Sequence, residues 1–107
     1  MADVTPQQAA ELLQRGEIQL IDVRERFEYD AGRIAGSRLI ELGGLAATAE
    51  SIDRGHTVVF VCRSGARSAM ATEAFARAGY DARNLEGGMQ AWQAVGLPLQ
   101  PADGRVA

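Results

Sequence analysis

Short apolar segments alternate with helix-forming segments along this chain, and this alternation constrains the fold more than any other feature. The segments at 18–23 (IQLIDV) and 57–61 (TVVFV) are rich in β-branched residues, which is typical of buried parallel strands. Apolar residues at helical spacing follow within 66–78. Strands that alternate with helices predict an α/β fold with a mostly parallel sheet and helices on both faces.

The length of 107 residues suits a single domain. We expect this domain to cover residues 4–98, and residues 99–107 to form a C-terminal tail. The first residues are polar and acidic and contain no apolar run, so we expect neither a signal peptide nor a membrane span. A cytoplasmic location follows as an expectation, because a reducing compartment would keep a lone thiol free.

Cysteine and lysine usage exclude several kinds of chemistry. Cys62 is the only cysteine, so the chain cannot form an internal disulfide, a redox pair of cysteines or a multi-thiolate zinc site. All 11 basic residues are arginine, which excludes lysine Schiff bases and the lysine-dependent phosphate loop. The net charge of -3 argues against a nucleic-acid surface.

The segment after the second strand carries the strongest sign of chemistry. Cys62 follows strand 57–61 directly and begins a loop that leads into a helix, while Asp22 and Arg24 end the first strand. Parallel sheets bind ligands beyond the carboxyl ends of their strands, so both groups should lie at the same edge.

A free cysteine thiol needs help to react at neutral pH. With an ordinary pKa of about 8.5 it is only ~3% thiolate, and lowering the pKa by about two units takes roughly 2.7 kcal/mol. A helix dipole supplies only ~0.3 to 1 kcal/mol. We expect the rest to come from the peptide N–H groups of the loop, which Gly65 allows to turn tightly, and from the guanidinium groups of Arg63 and Arg67.

The single histidine does not suit the role of base. His56 precedes strand 57–61, and at ~3.3 Å per residue the strand places it on the order of 20 Å from Cys62. A thiolate without a neighbouring base suits attack on an electrophilic sulfur atom better than amide hydrolysis.

Four segments of the chain resemble the single-domain rhodaneses, which are thiosulfate and persulfide sulfurtransferases. They are D-x-R at 22–24, G-x-I-x-G at 32–36, CRSGARS at 62–68 and EGGMQAW at 86–92, and the resemblance covers about residues 4–98. It implies a rhodanese-like fold with a five-stranded, mostly parallel sheet and helices on both faces. It also implies a catalytic loop of six residues that begins at Cys62.

The resemblance further implies a reaction and its participants. Cys62 would take a sulfane sulfur from thiosulfate or a persulfide and pass it to cyanide or a thiol, such as thioredoxin or glutathione. Asp22 and Arg24 would position the loop, and neither a metal nor an organic cofactor is implied. The loop residues expected to bind the donor and hold the persulfide are Arg63, Ser64, Gly65, Ala66, Arg67 and Ser68.

The chain departs from the family at two positions. The family usually carries His and Pro where this chain has Arg33 and Ala35. These substitutions concern the local turn and the docking of a partner rather than the cysteine loop.

Two other function classes stay open. A Cys-dependent phosphatase or arsenate reductase would need an arginine six residues after the nucleophile, where this chain has Ser68. A non-catalytic binding, regulatory or sulfur-relay module commonly lacks the cysteine that this chain keeps. Elsewhere we expect Glu25 and Glu28 to be solvated, and the core to contain Phe75, Met89 and Trp92.

Overall fold

A computed structural model describes residues 3–107, and its elements follow the alternation seen in the sequence. The predicted α/β class is confirmed. In these residues, no helix is both long and apolar enough to cross a membrane. In chain order the elements are α1 (Pro6–Gln14), β1 (Ile18–Asp22), α2 (Arg26–Ala31), β2 (Arg38–Leu39), α3 (Leu45–Thr48), β3 (Thr57–Val61), α4 (Ala66–Arg77), β4 (Ala82–Asn84) and α5 (Gly88–Ala94).

The strands form one parallel sheet in the order β2-β1-β3-β4. The resemblance implies five strands; the described residues form four, and Val4 adds an isolated parallel bridge to Leu85 just beyond β4. β1 and β3 are neighbours, and Asp22 is paired with Val61. This register places Asp22 beside the residue that precedes Cys62.

Both faces of the sheet are buried, which explains why the strands are apolar throughout rather than alternating. Alternate residues of β3 enter two separate cores. One core lies under α3 and α4, and the other lies under α1 and α5. The first contains Val58, Phe60 and Phe75, and the second contains Val59, Val61, Met89 and Trp92.

Residues 42–51 do not form one continuous helix. They form 3-10 turns at Leu42–Gly44 and Ala49–Ser51 on either side of the four-residue α3. Gly43 and Gly44 lie in this segment, and each glycine costs about 1 kcal/mol relative to alanine inside a helix. A long regular helix is therefore disfavoured here.

The C-terminal tail packs along the end of α2. The backbone of Gln100 exchanges two hydrogen bonds with Arg33, at 3.0 and 2.8 Å, and the amide of Arg105 donates to the carbonyl of Ala31 at 2.9 Å. Leu99 and Val106 pack against the second core. One of the two departures from the family, Arg33, thus pairs with the tail through its backbone.

Candidate active site

The sulfur of Cys62 lies at the bottom of the loop between β3 and α4. Its Sγ accepts hydrogen bonds from the amide of Gly65 at 3.1 Å, from the amide of Ser68 at 3.4 Å and from the Ser68 hydroxyl at 3.2 Å. Gly65 has φ 111°, a conformation that favours glycine, and it is the N-cap residue that precedes α4. Two loop amides and one hydroxyl therefore donate to the sulfur.

The hydrogen bonds around Cys62 govern its acidity. Burial by itself raises the pKa of the thiol, because it penalises the charged form. The Ser68 hydroxyl and the amides of Ser68, Gly65 and Ser64 oppose burial, and the net result is a pKa below the ordinary cysteine value. The hydrogen bonds thus outweigh the effect of burial, and the Cys62 thiol is more acidic than an ordinary cysteine thiol.

Helix α5 supports the outer side of the loop. The amides of Met89 and Gln90 donate to the carbonyls of Cys62 and Arg63 at 2.8 and 3.0 Å. These bonds turn the carbonyls away from the sulfur and leave the N–H groups to face it. Gly88 makes the close approach possible, because a Cβ atom there would lie 2.4 Å from the Cys62 carbonyl oxygen. The Asn84 side chain also donates to the carbonyl of Gly65, at 3.3 Å.

Arg67 lies in the first turn of α4 and is bound to a carboxylate. Its guanidinium donates two hydrogen bonds to Glu28, at 2.8 and 3.0 Å. The Arg67 side chain is 34% exposed and that of Glu28 only 6%. The expectation that Glu28 is solvated is therefore wrong, because α2 folds over the start of α4 and buries it; Glu25 is exposed as expected.

The ion pair between Glu28 and Arg67 shifts the pKa of both groups. The hydrogen bonds from Arg67 hold the pKa of Glu28 below its usual value, against the opposing effect of burial. The same bonds raise the pKa of Arg67. The two groups are thus a charged pair at neutral pH, and the positive charge of Arg67 is balanced before any ligand arrives.

Asp22 and Arg24 form a fully buried ion pair under α2. The Arg24 guanidinium donates to both oxygens of Asp22, and it also donates to the carbonyl of Glu28 at 3.3 Å and of Gly32 at 2.8 Å. Arg24 therefore anchors α2 rather than the cysteine loop itself. Its effect on the loop is indirect, because α2 carries Glu28, which holds Arg67.

The remaining predicted residues lie on the solvent-exposed side of the cysteine loop. Arg63 is exposed and donates from Nε to the backbone oxygen of Ala107 at 2.9 Å, while Ser64 and Ala66 are exposed at the turn. Within residues 3–107, neither the Arg63 nor the Arg67 guanidinium forms a hydrogen bond with the sulfur. Any effect of the two guanidinium groups on the sulfur is therefore longer in range than the hydrogen bonds from the loop amides.

His56 lies at the other end of β3, where its Nδ1 is 2.7 Å from a carboxylate oxygen of Asp53. It is thus separated from Cys62 by the length of the strand, as expected. Among residues 3–107, no group of three or more His, Cys, Asp or Glu side chains could hold a metal ion.

Comparisons with known proteins agree with this geometry. The Rhodanese-like domain family matches residues 5–95. YtwF of Bacillus subtilis is 38% identical over 82 residues, covering 77% of this chain and 80% of YtwF. Thiosulfate sulfurtransferase GlpE of Pseudomonas aeruginosa is 33% identical over 101 residues, covering 94% of this chain and 87% of GlpE.

Solved structures show the same fold. The crystal structure of a rhodanese-related protein from Thermoplasma volcanium superposes with a TM-score of 0.86 at 29% identity, covering 92% of this chain and 97% of that one. In some longer relatives the matched region is less than half of the protein, 42% of one and 24% of another. The cysteine loop, the sheet and these similarities agree, and the chain belongs to the Rhodanese-like domain family.

Proposed function

We propose that this protein is a sulfurtransferase that carries a sulfane sulfur on Cys62 as a persulfide. The observation that supports this most is the set of three hydrogen bonds to Sγ, from the amides of Gly65 and Ser68 and from the Ser68 hydroxyl. These donors stabilise an anion on sulfur without taking part in proton transfer. Similarity to a thiosulfate sulfurtransferase is consistent with this chemistry.

The first half of the reaction loads the cysteine. The Cys62 thiolate attacks the outer sulfur of thiosulfate, or the terminal sulfur of a persulfide donor. A new S–S bond forms on Cys62, the S–S bond of the donor breaks, and sulfite or the donor thiolate leaves with the electron pair. The negative charge then lies on the terminal sulfur of the Cys62 persulfide, where N–H groups of the loop stabilise it.

The second half of the reaction removes the sulfur atom from Cys62. Cyanide or an acceptor thiolate, such as that of thioredoxin or glutathione, attacks the terminal sulfur and leaves as thiocyanate or a new persulfide. Cys62 returns as a thiolate, so the single cysteine completes the cycle without a resolving partner. The proposal needs no metal or organic cofactor, and a reducing compartment such as the cytoplasm suits it.

The other loop residues have supporting roles in this proposal. Arg63 and Arg67 line the approach of the anionic donor, and Ser64 and Ala66 shape the turn. Asp22 and Arg24 position the site through α2.

Intact-mass measurement tests the proposal directly. Incubated with thiosulfate and no acceptor, the protein should gain one sulfur atom, and cyanide should remove it as thiocyanate. The Cys62→Ser variant should do neither. Absence of the added sulfur with both thiosulfate and a persulfide donor would refute the proposal, and hydrolysis of an aryl phosphate that Cys62→Ser abolishes would favour a phosphatase instead.

A further inference from the structure

The Glu28–Arg67 pair places a buried carboxylate beside the loop that must receive an anion. Both Glu28 oxygens are bound to Arg67, and one of them also accepts a hydrogen bond from the amide of Glu25 at 2.9 Å. Both oxygens of the carboxylate are therefore held by hydrogen bonds, which oppose rotation of Glu28 away from the loop. This arrangement opposes the simple expectation that Arg67 offers its full charge to the donor.

The charged groups around the sulfur determine how the site receives an anion. The Cys62 thiolate and Glu28 are negative, Arg67 is positive, and the exposed Arg63 guanidinium binds the Ala107 backbone oxygen through Nε. Glu25 is a further negative charge close enough to act on Arg67. An incoming donor thus meets a site in which the Arg67 cation is already paired with a carboxylate.

Donors of sulfane sulfur differ in charge. Thiosulfate is a dianion, whereas the persulfide group and the organic thiosulfonate group each carry one negative charge. Coulomb energy is proportional to the charge of the donor, so a fixed carboxylate opposes a dianion twice as strongly as a monoanion at the same place.

We infer that Glu28 is a specificity-determining residue that directs the site away from dianionic thiosulfate and towards monoanionic donors of the persulfide and thiosulfonate class. This inference rests on the proposed function. Glu28 acts through charge and through Arg67, and it does not touch the reacting sulfur.

A comparison of two donors isolates this effect. Thiosulfate and methanethiosulfonate both present a terminal sulfur; the thiolate takes it, and either sulfite or methanesulfinate leaves with the electron pair. In a ping-pong reaction the kcat/KM of the donor reports only the loading step. Any change in the acidity of Cys62 affects both donors equally and cancels in the ratio of their kcat/KM values.

Glu28→Gln keeps the shape and the oxygen that accepts from Glu25 but removes the charge. We expect kcat/KM to rise about threefold for methanethiosulfonate. For thiosulfate, which has twice the charge, the free-energy change doubles and the factor is squared, so kcat/KM should rise about ninefold. Arg67→Ala should shift the ratio in the opposite direction. Glu73→Gln, which removes one carboxylate from an exposed pair with Arg77, is the matched control and should leave the ratio unchanged.

The outcomes separate the two proposals. If Cys62 is loaded and Glu28→Gln changes both donors by the same factor, the specificity role of Glu28 is refuted while the sulfurtransferase proposal stands. If the ratio shifts as expected and the shift shrinks at high ionic strength, charge is the cause. If thiosulfate, methanethiosulfonate and a persulfide donor all fail to load Cys62 in the unaltered protein, the proposed function fails and this inference fails with it.

Discussion

The hydroxyl oxygen of Ser68 lies 3.2 Å from the sulfur of Cys62, and both residues are almost completely buried. Ser68 contributes twice to the same sulfur, through its side chain and through its amide. Because water is excluded, the donors that the protein supplies determine how acidic the thiol is.

Replacing Ser68 by alanine should raise the pKa of Cys62. The substitution keeps the amide and removes the hydroxyl, and a hydrogen bond to a charged group contributes about 1.5 to 3 kcal/mol, or roughly one to two pKa units. The pH profile of iodoacetamide alkylation should therefore move to higher pH. Thr72→Ala, which removes a hydroxyl one helical turn further on, should leave the profile in place, and an unshifted Ser68→Ala profile would contradict the assigned role.

Replacing Gly88 by alanine should distort the cysteine loop on the side that packs against α5. The new Cβ would lie 2.4 Å from the Cys62 carbonyl oxygen, and the backbone of Gly88 has a positive φ of 62°. Overpacking of this kind costs about 1 to 3 kcal/mol, so both the midpoint of thermal unfolding and the rate of persulfide loading should fall. Gly43→Ala, at a position with open space, is the control; equal behaviour of the two variants would show that the contact is unimportant.

Replacing Arg24 by methionine should destabilise the fold strongly. It leaves the buried Asp22 carboxylate without its partner and frees one carbonyl of α2 and another just beyond its end, a change that typically costs about 3 to 5 kcal/mol. Arg15→Met disrupts an exposed pair with Glu11 and should cost about 1 kcal/mol or less. Urea unfolding measures the free energy of unfolding of both variants. A similar loss of stability in the two would argue against the anchoring role of Arg24.

Acid should weaken the contact between α2 and α4. The pKa of Glu28 is lowered in the folded protein, so its contribution to stability is present above the ordinary glutamate pKa of ~4.3 and is lost as the pH falls through the folded value. Glu28→Gln removes this part of the pH dependence. Unfolding midpoints at neutral and acidic pH should therefore fall less steeply in Glu28→Gln than in Glu73→Gln, and parallel curves would refute the linkage.

The cysteine loop could be predicted from the sequence because its information is local. A strand, a cysteine, a glycine and a helix follow one another within 57–78, so the direction of the N–H groups follows from chain geometry. The same holds for the two-sided core, since the apolar strands require covering on both faces.

The role of Glu28 could not be predicted in this way because its partner is 39 residues distant. A glutamate in a short helix after the strand is ordinarily solvated. The available signal was its spacing: Glu28 lies three residues after Glu25, as in a helix capping box, and four after Arg24. That spacing predicts a structured helix start, but it does not indicate Arg67.

The short turns at 42–51 and the course of the tail could not be predicted from residue type alone. Residues 42–51 carry helix-forming alanines, yet Gly43 and Gly44 favour short turns. The tail pairs with Arg33 through backbone atoms, and backbone pairing leaves no residue-type pattern to read.

The strand order has a consequence for the thiol itself. β1 and β3 are neighbours, and the helices that follow them bring Glu28 and Arg67 together from separate stretches of the chain, while α5 holds the loop from a third. The amides and the hydroxyl that bind the sulfur lie within residues 62–68, while the groups that hold this loop in place come from distant stretches of the chain. In the unfolded chain Cys62 is an ordinary thiol, so its acidity reports whether the loop has taken its folded shape.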